Sequence, residues 1–234
     1  DFRLYDLQMF QRLSKRLQLE SEIKDAIELK QFNLVLQPQI ALASGKLCCF
    51  EALLRWQHPQ RGIVSPDDFI DMLENSSQMI ELGYWVFRRS FELTQLIIQQ
   101  GFPDIRLAIN LSASQFLDPN LGKVLRDLLA EFQLSARHFE LELTERTLVK
   151  DFDVTLQSMN ELKEMGFHFA IDDFGTGYSS LRYLKQMPVD IIKIDKSFVF
   201  GMLENDADFQ IITSTIAMVH ALDLTVVAEG VENR

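Results

Sequence analysis

The chain has 234 residues, 47% hydrophobic and 24% charged, a balance that supports a buried core and excludes a disordered polyampholyte. Its 23 Lys and Arg against 34 Asp and Glu give a formal charge of −11, which argues against a non-specific binder of duplex DNA or of anionic membranes. A phosphorylated substrate would therefore need a metal or a local basic group.

From Phe2 to about Phe32 the chain is strongly charged, with Leu13, Leu17, Ile23, Ala26 and Ile27 at helical spacing. This predicts a helix, or two in series, that enters a domain rather than forming its centre. Seven short apolar segments follow, each read as a strand followed by a helical stretch: Leu34 to Leu42, Lys46 to Trp56, Ile105 to Leu111, Phe139 to Thr144, His168 to Asp173, Ile191 to Asp195 and Thr225 to Glu229. Cys48 and Cys49, adjacent in the second strand, cannot easily reach unstrained disulfide geometry, so a reducing, cytoplasmic setting is expected. Ser65-Pro66-Asp67-Asp68 reads as a helix start, with Ser65 as cap. Helical runs Leu82 to Gln100 and Val154 to Met165 end at Gly101 and Gly166, and Asp206 to Ala221 supplies another amphipathic stretch. Strands alternating with helices of this length predict parallel βα units in one domain. No apolar run approaches the roughly 18 to 20 residues of a membrane span, and no membrane contact is expected of this segment. The chain starts at Asp1 without a methionine, which is expected of a piece of something longer, including the cytoplasmic part of a membrane-anchored protein.

Side chains along a strand alternate between two faces. Glu51, Leu53 and Arg55 lie opposite Cys48, Phe50, Ala52 and Leu54. Asn110 and Ala108 lie opposite Leu107, Ile109 and Leu111. Glu142, Asp172, and Lys193 with Asp195 alternate in the same way against apolar neighbours. Each strand thus has one apolar face and one face bearing ionisable or amide groups near its C-terminal end. An open sheet covered by helices would want both faces apolar. A closed (β/α)8 TIM-like barrel buries the outer face and gathers the inner groups at its C-terminal mouth.

Carboxylates gathered there repel one another unless protons or cations intervene. Asp, Glu and Asn without His or Cys favour hard cations such as Mg²⁺ or Mn²⁺. The consecutive pair Asp172 and Asp173 suits two ions, one carboxylate bridging and its neighbour reaching only the second. Such pairs activate water for phosphoryl displacement. Lys193 could position that water, and Arg55 offers a phosphate-binding fork. A single carboxylate is ordinarily a solvated surface charge, and Glu20, Glu22, Asp67, Glu131 and Asp208 stay in that class. His58, His138, His168 and His220 lack metal-ligand spacing, and Trp56 and Trp85 read as packing anchors.

These residues resemble a known family. Glu51-Ala52-Leu53-Leu54-Arg55 matches the motif that names the EAL-domain phosphodiesterases. The match runs from Leu36-Gln37-Pro38 through Ile109-Asn110-Leu111-Ser112, Glu142-Leu143-Thr144-Glu145, Asp172-Asp173-Phe174-Gly175-Thr176-Gly177 and Lys193-Ile194-Asp195 to Ala228-Glu229-Gly230-Val231-Glu232. The resemblance implies a barrel enzyme of bacterial second-messenger signalling that hydrolyses cyclic di-guanosine monophosphate to linear pGpG with two Mg²⁺ or Mn²⁺ ions. By residue, it implies that Glu51, Asn110, Glu142 and Asp172 hold the first metal. Asp172 would bridge to a second ion shared with Asp173 and Glu229, with Asp195 a supporting acid in the metal group. Lys193 would orient the attacking water between the ions and Glu229 would accept its proton. Gln37, Leu53 and Arg55 resemble substrate contacts, and Glu145 resembles the glutamate that braces the loop beginning at Asp172. Gly175 and Gly177 would allow that loop its tight backbone. A homodimer is implied through the same loop. Residues 1–33 resemble the linker from a preceding GGDEF-like or sensory domain, leaving 34–234 as the EAL domain. The family's barrel ends in an eighth strand bearing a Gln-Gly-Tyr or Gln-Gly-Phe segment, whereas this sequence stops at Arg234, so a C-terminally incomplete barrel is expected.

Three other readings share some of these features. A non-catalytic receptor for the dinucleotide would act on a partner, but receptors of this family tend to have lost metal ligands. A scaffold acting through protein contacts alone gives no reason for so many inward carboxylates. An enolase-like lyase shares the carboxylate pattern, and only the ordered motif set separates it.

Overall fold

The structure, a computed structural model, describes residues 7–73, 76–145, 147, 152–176, 184–203 and 205–231. Gly177 and Glu232 lie outside the described residues, as does part of the loop that follows Asp172 and Asp173. Helix α1 (Leu7–Glu28) leads into strands β1 (Phe32–Ala41), β2 (Lys46–His58) and β3 (Gly62–Val64). After a 3-10 turn at Pro66–Asp68 come α2 (Ile70–Leu73), α3 (Ser77–Gln99), β4 (Arg106–Asn110), α4 (Ala113–Phe116) and α5 (Leu121–Phe132). The chain continues through β5 (Phe139–Thr144), α6 (Phe152–Glu164), β6 (His168–Phe174), β7 (Ile191–Ile194), α7 (Lys196–Gly201), α8 (Asp206–Ala221) and β8 (Thr225–Ala228).

The seven expected strands are all present, in the order β1-β2-β4-β5-β6-β7-β8, with β3 attached to β2. They curl into a half-barrel of the (β/α)8 kind, and among the described residues β1 and β8 do not pair with each other. Two connections depart from the expected βα repeat, the hairpins β1–β2 and β2–β3. No helix follows β1; a short turn at Leu42–Gly45 returns the chain antiparallel, pairing Gln37 with Glu51 and Val35 with Leu53. Gly45 takes φ +66 in this turn, a left-handed conformation that favours glycine. From β2 onward β2, β4, β5, β6, β7 and β8 are parallel neighbours.

The parity expectation holds in the packing. Outward residues Leu107, Ile109, Phe139, Leu141, Leu143, Phe169, Ile171 and Ile192 are buried against Phe87, Phe91, Leu125, Leu128, Met159, Leu162 and Val219 of the covering helices. Phe91 and Phe139 stack with centroids 3.9 Å apart. A second apolar cluster joins α1 to the outer side of β2: Leu19, Ile23 and Ala26 pack with Phe32, Trp56, Val64, Phe69, Leu73, Met79 and Leu82. Trp56, fully buried, donates its indole N–H to Gln31 Oε1 at 3.1 Å and is an anchor of this cluster.

The helix expected to start at Ser65 is broken. Ser65 makes no side-chain cap, and Phe69 takes φ −137 as its ring turns into the second cluster. The long helix starts later, where the Ser76 hydroxyl accepts from Met79 N–H. Gly101 and Gly166 end α3 and α6 at φ +99 and +102, as expected.

Candidate active site

At the C-terminal ends of the parallel strands, parity delivers Glu51 from β2, Asn110 from β4, Glu142 from β5, Asp172 from β6 and Lys193 from β7 to one side of the sheet. Glu229 follows β8, its N–H donating to Ile194 O at 3.2 Å. Lys193 is the hub. Its ammonium lies 2.8 Å from Glu229 Oε1, 2.9 Å from Glu142 Oε2, 3.2 Å from Asp172 Oδ1 and 3.3 Å from Glu51 Oε2, and the side chain is 1% exposed. Burial works against its charge, but Glu142, Asp172, Glu51 and Glu229 outweigh that cost and hold the ammonium protonated above its usual range. Asn110 Nδ2 donates to Glu51 Oε1 at 2.9 Å, which orients the Glu51 carboxylate from the adjacent strand.

Asp172 and Asp173 are neighbours in sequence, so a regular strand would send them to opposite faces. A register shift between Ile171 and Phe174 and φ +53 at Asp173 remove that alternation. The Asp173 N–H donates to Asp172 Oδ1 at 2.9 Å. As a result Asp172, Asp173 and Glu229 each offer an oxygen, all within 4.8 Å of one another.

Burial raises the carboxyl of Glu142 well above the ordinary carboxylate range, and Glu51 and Asp172 add to the rise against Lys193. Burial likewise raises Glu229, and burial followed by the charge of Asp172 raises Asp173. Glu142 Oε1 is buried with no hydrogen-bond partner. One ammonium thus faces Glu51, Glu142, Asp172, Asp173 and Glu229, an oxygen-rich set with a charge deficit. Its chemistry fits hard divalent cations.

The other expected residues are placed as follows. Gln37 and Leu53 share the face of Glu51 through the β1–β2 register. Arg55 lies two residues further along β2, its guanidinium donating to Leu54 O at 2.7 Å. Asp195 is buried and caps α7, accepting from the Ser197 N–H at 3.0 Å and from the Ser197 hydroxyl. Glu145 is buried just past β5. Glu22, expected to be a solvated charge, instead pairs with Arg61 and lies 3.8 Å from His58, tying α1 to the β2–β3 hairpin.

One inward group was not singled out from the sequence. Glu140 sits two residues before Glu142 on the same face, 1% exposed, 3.7 Å from Arg106, with neither oxygen hydrogen-bonded. Burial pushes its carboxyl up to about 7, against the nearby Arg106 and Lys193. The same i, i+2 parity that marked Glu142 marks it, nearer the start of the strand.

Residues 20–234 match the family model for the EAL domain. The chain is 36% identical over 228 residues to the bifunctional diguanylate cyclase/cyclic di-GMP phosphodiesterase MucR of Pseudomonas aeruginosa, covering 97% of this chain and 33% of that protein. It is 38% identical over 230 residues to the cyclic di-GMP phosphodiesterase NbdA of the same organism, covering 98% of this chain and 29% of NbdA. It therefore spans about a third of the length of these relatives. Among solved structures it superposes on the PaMucR phosphodiesterase in complex with c-di-GMP with a TM-score of 0.89 and 37% identity, covering 93% of this chain and 88% of that one.

Proposed function

The chain belongs to the EAL domain family, and from that premise we propose that it hydrolyses cyclic di-guanosine monophosphate to linear pGpG with the help of two Mg²⁺ or Mn²⁺ ions. The observation that carries this reading is the buried Lys193 ammonium ringed by Glu51, Glu142, Asp172 and Glu229, with Asp173 completing an acidic trio on one side. In this reading Glu51, Asn110, Glu142 and Asp172 hold one ion, Asp172, Asp173 and Glu229 the other, and Asp195 supports them. When bound, the ions would lower the pKa of a water and neutralise charge on the phosphate.

The chain's own groups do the remainder. Lys193, held protonated, orients the attacking water through its N–H donors. Glu229, its carboxyl raised by burial above the ordinary carboxylate range, accepts the water's proton. Water oxygen forms the new P–O bond, the P–O3′ bond breaks, and the 3′-oxygen leaves as a hydroxyl after taking up a proton. Gln37 and Leu53 line the neighbouring β1–β2 surface for the base and sugar. Arg55 exchanges the Leu54 carbonyl for a phosphate oxygen. Residues 1–33 act as the linker from an upstream GGDEF-like or sensory domain in a cytoplasmic homodimer, with Glu145 bracing the loop after β6.

The test is chromatographic. The protein in its full-length context, incubated with the cyclic dinucleotide and Mg²⁺, should produce pGpG, and EDTA should abolish product. Normal dinucleotide binding and ion occupancy without turnover would instead favour a receptor.

A further inference from the structure

Two glycines beside the acidic trio have no room for a side chain, and the same short helix closes on both. A Cβ at Gly175 would lie 2.9 Å from Cε2 of Phe198, and one at Gly230 would lie 2.8 Å from Lys196 Cβ and 3.1 Å from Phe200 Cζ. Both glycines also adopt positive φ, +99 and +71, so the backbone there is turned as well as crowded. Gly175 is two residues past Asp173, and Gly230 directly follows Glu229. Lys196, Phe198 and Phe200 all belong to α7, which starts three residues after Lys193 and is capped by the buried Asp195.

The arrangement is a wedge. Strand β7 places Lys193 at the centre, and α7, anchored at its first turn by Asp195, presses one aromatic ring on the segment carrying Asp172 and Asp173. From its other side, Lys196 and Phe200 press on the segment carrying Glu229. With the rings this close, neither glycine backbone has room for a side chain on the side of α7, which limits how far the two segments can shift toward the helix. We propose that Phe198 and Phe200 are positioning residues that set the spacing of Asp173 and Glu229, and hence the affinity for the cation they share. Asp195 acts through this helix by holding its N-terminus. Phe200 is 54% exposed, a poor investment for core stability, which is consistent with a role in spacing. The proposal rests on the reading of Asp172, Asp173 and Glu229 as a cation site.

The experiment is Mn²⁺ titration of the full chain, followed by calorimetry and electron paramagnetic resonance, on the native protein and on Phe198→Ala, Phe198→Leu and Phe200→Ala. The native protein should bind two ions with an exchange-coupled spectrum. Phe200→Ala and Phe198→Ala should each weaken one of the two ions about tenfold or more, in line with outer groups at metal sites. The coupled signal should fade, the other ion should stay bound, and Phe198→Leu should recover most of the loss. Should Phe198→Ala fail to fold, Phe200→Ala decides, since its ring contributes little to the core. Two native-like affinities in folded Phe200→Ala and Phe198→Leu, with Phe198→Ala the same or unfolded, would overturn the spacing role while leaving the cation site standing. A native protein that binds no Mn²⁺ would bring down both.

Discussion

Replacing Lys193 with methionine keeps the unbranched stem and removes the charge at the centre of the site. Its ammonium stands 2.8 to 3.3 Å from four carboxylates. At an effective dielectric of about 20, each of these pairs is worth roughly 5 to 6 kcal/mol of attraction. The cost of burying the ions and the mutual repulsion of the carboxylates cancel most of that total. Removing one partner from a buried ion cluster leaves a net loss of about 3 to 5 kcal/mol. For a domain of this size, each kcal/mol moves the thermal midpoint by about 2 to 4 °C, so Lys193→Met should melt roughly 6 to 20 °C below the native protein in EDTA. On the proposed reading, divalent ions bind the folded state alone and meet the same charge deficit, so saturating Mg²⁺ should narrow the gap. Calorimetric melts of both proteins with EDTA and with Mg²⁺ give the four midpoints. Equal midpoints in EDTA would refute the reasoning, because the carboxylates could then stand together without a cation.

Glu140→Gln should change how stability depends on pH. The carboxyl rises from an ordinary 4.5 to about 7 on folding, so between those values the folded state binds more protons than the unfolded one and the native protein loses stability as pH rises. The variant should therefore match the native protein below pH 4.5 and exceed it by about 3 kcal/mol above pH 7 in urea melts, whereas parallel curves would refute the burial argument. Trp56→Ala removes a fully buried ring that lies 5.4 Å from Phe69 and 5.5 Å from Phe32, and should cost about 3 to 5 kcal/mol in the same assay. Asp173→Gly keeps the left-handed backbone available while deleting a carboxylate. It should leave the EDTA midpoint unchanged or higher and reduce Mn²⁺ stoichiometry from two to one by calorimetry.

Strand parity carried most of what could be read in advance. An alternation such as Phe139-Glu140-Leu141-Glu142-Leu143 is a direct statement about two faces, and the outward set is buried as that alternation requires. Periodicity does not report direction, however. Leu34 to Leu42 looks like any other strand, and only the Leu42–Gly45 turn decides that it runs back against β2. Ser65 through Asp68 has good capping chemistry, yet burial of Phe69 at the next position outweighs a local cap worth about 1 kcal/mol. The convergence of Asp172 and Asp173 depends on a bulge against β7, a partner about twenty residues away in the chain. The role of α7 was out of reach for a similar reason. Phe198 and Phe200 touch glycines from two different strand ends, and nothing local marks those contacts.

The antiparallel join of β1 to β2 also bears on the order in which the molecule is put together. A hairpin closed by Leu42–Gly45 involves little loop entropy and belongs to a class of pairings that forms in about 1 to 10 μs. Each parallel pairing must instead wait for a longer crossover to close, and such pairings slow folding. Gln37, Glu51, Leu53 and Arg55 ride on the hairpin, while Lys193 and Glu229 arrive with β7 and β8. The two halves of the mouth thus have separate folding histories: the proposed substrate side is shaped by local contacts, and the ion side is assembled only once distant parts of the chain have met.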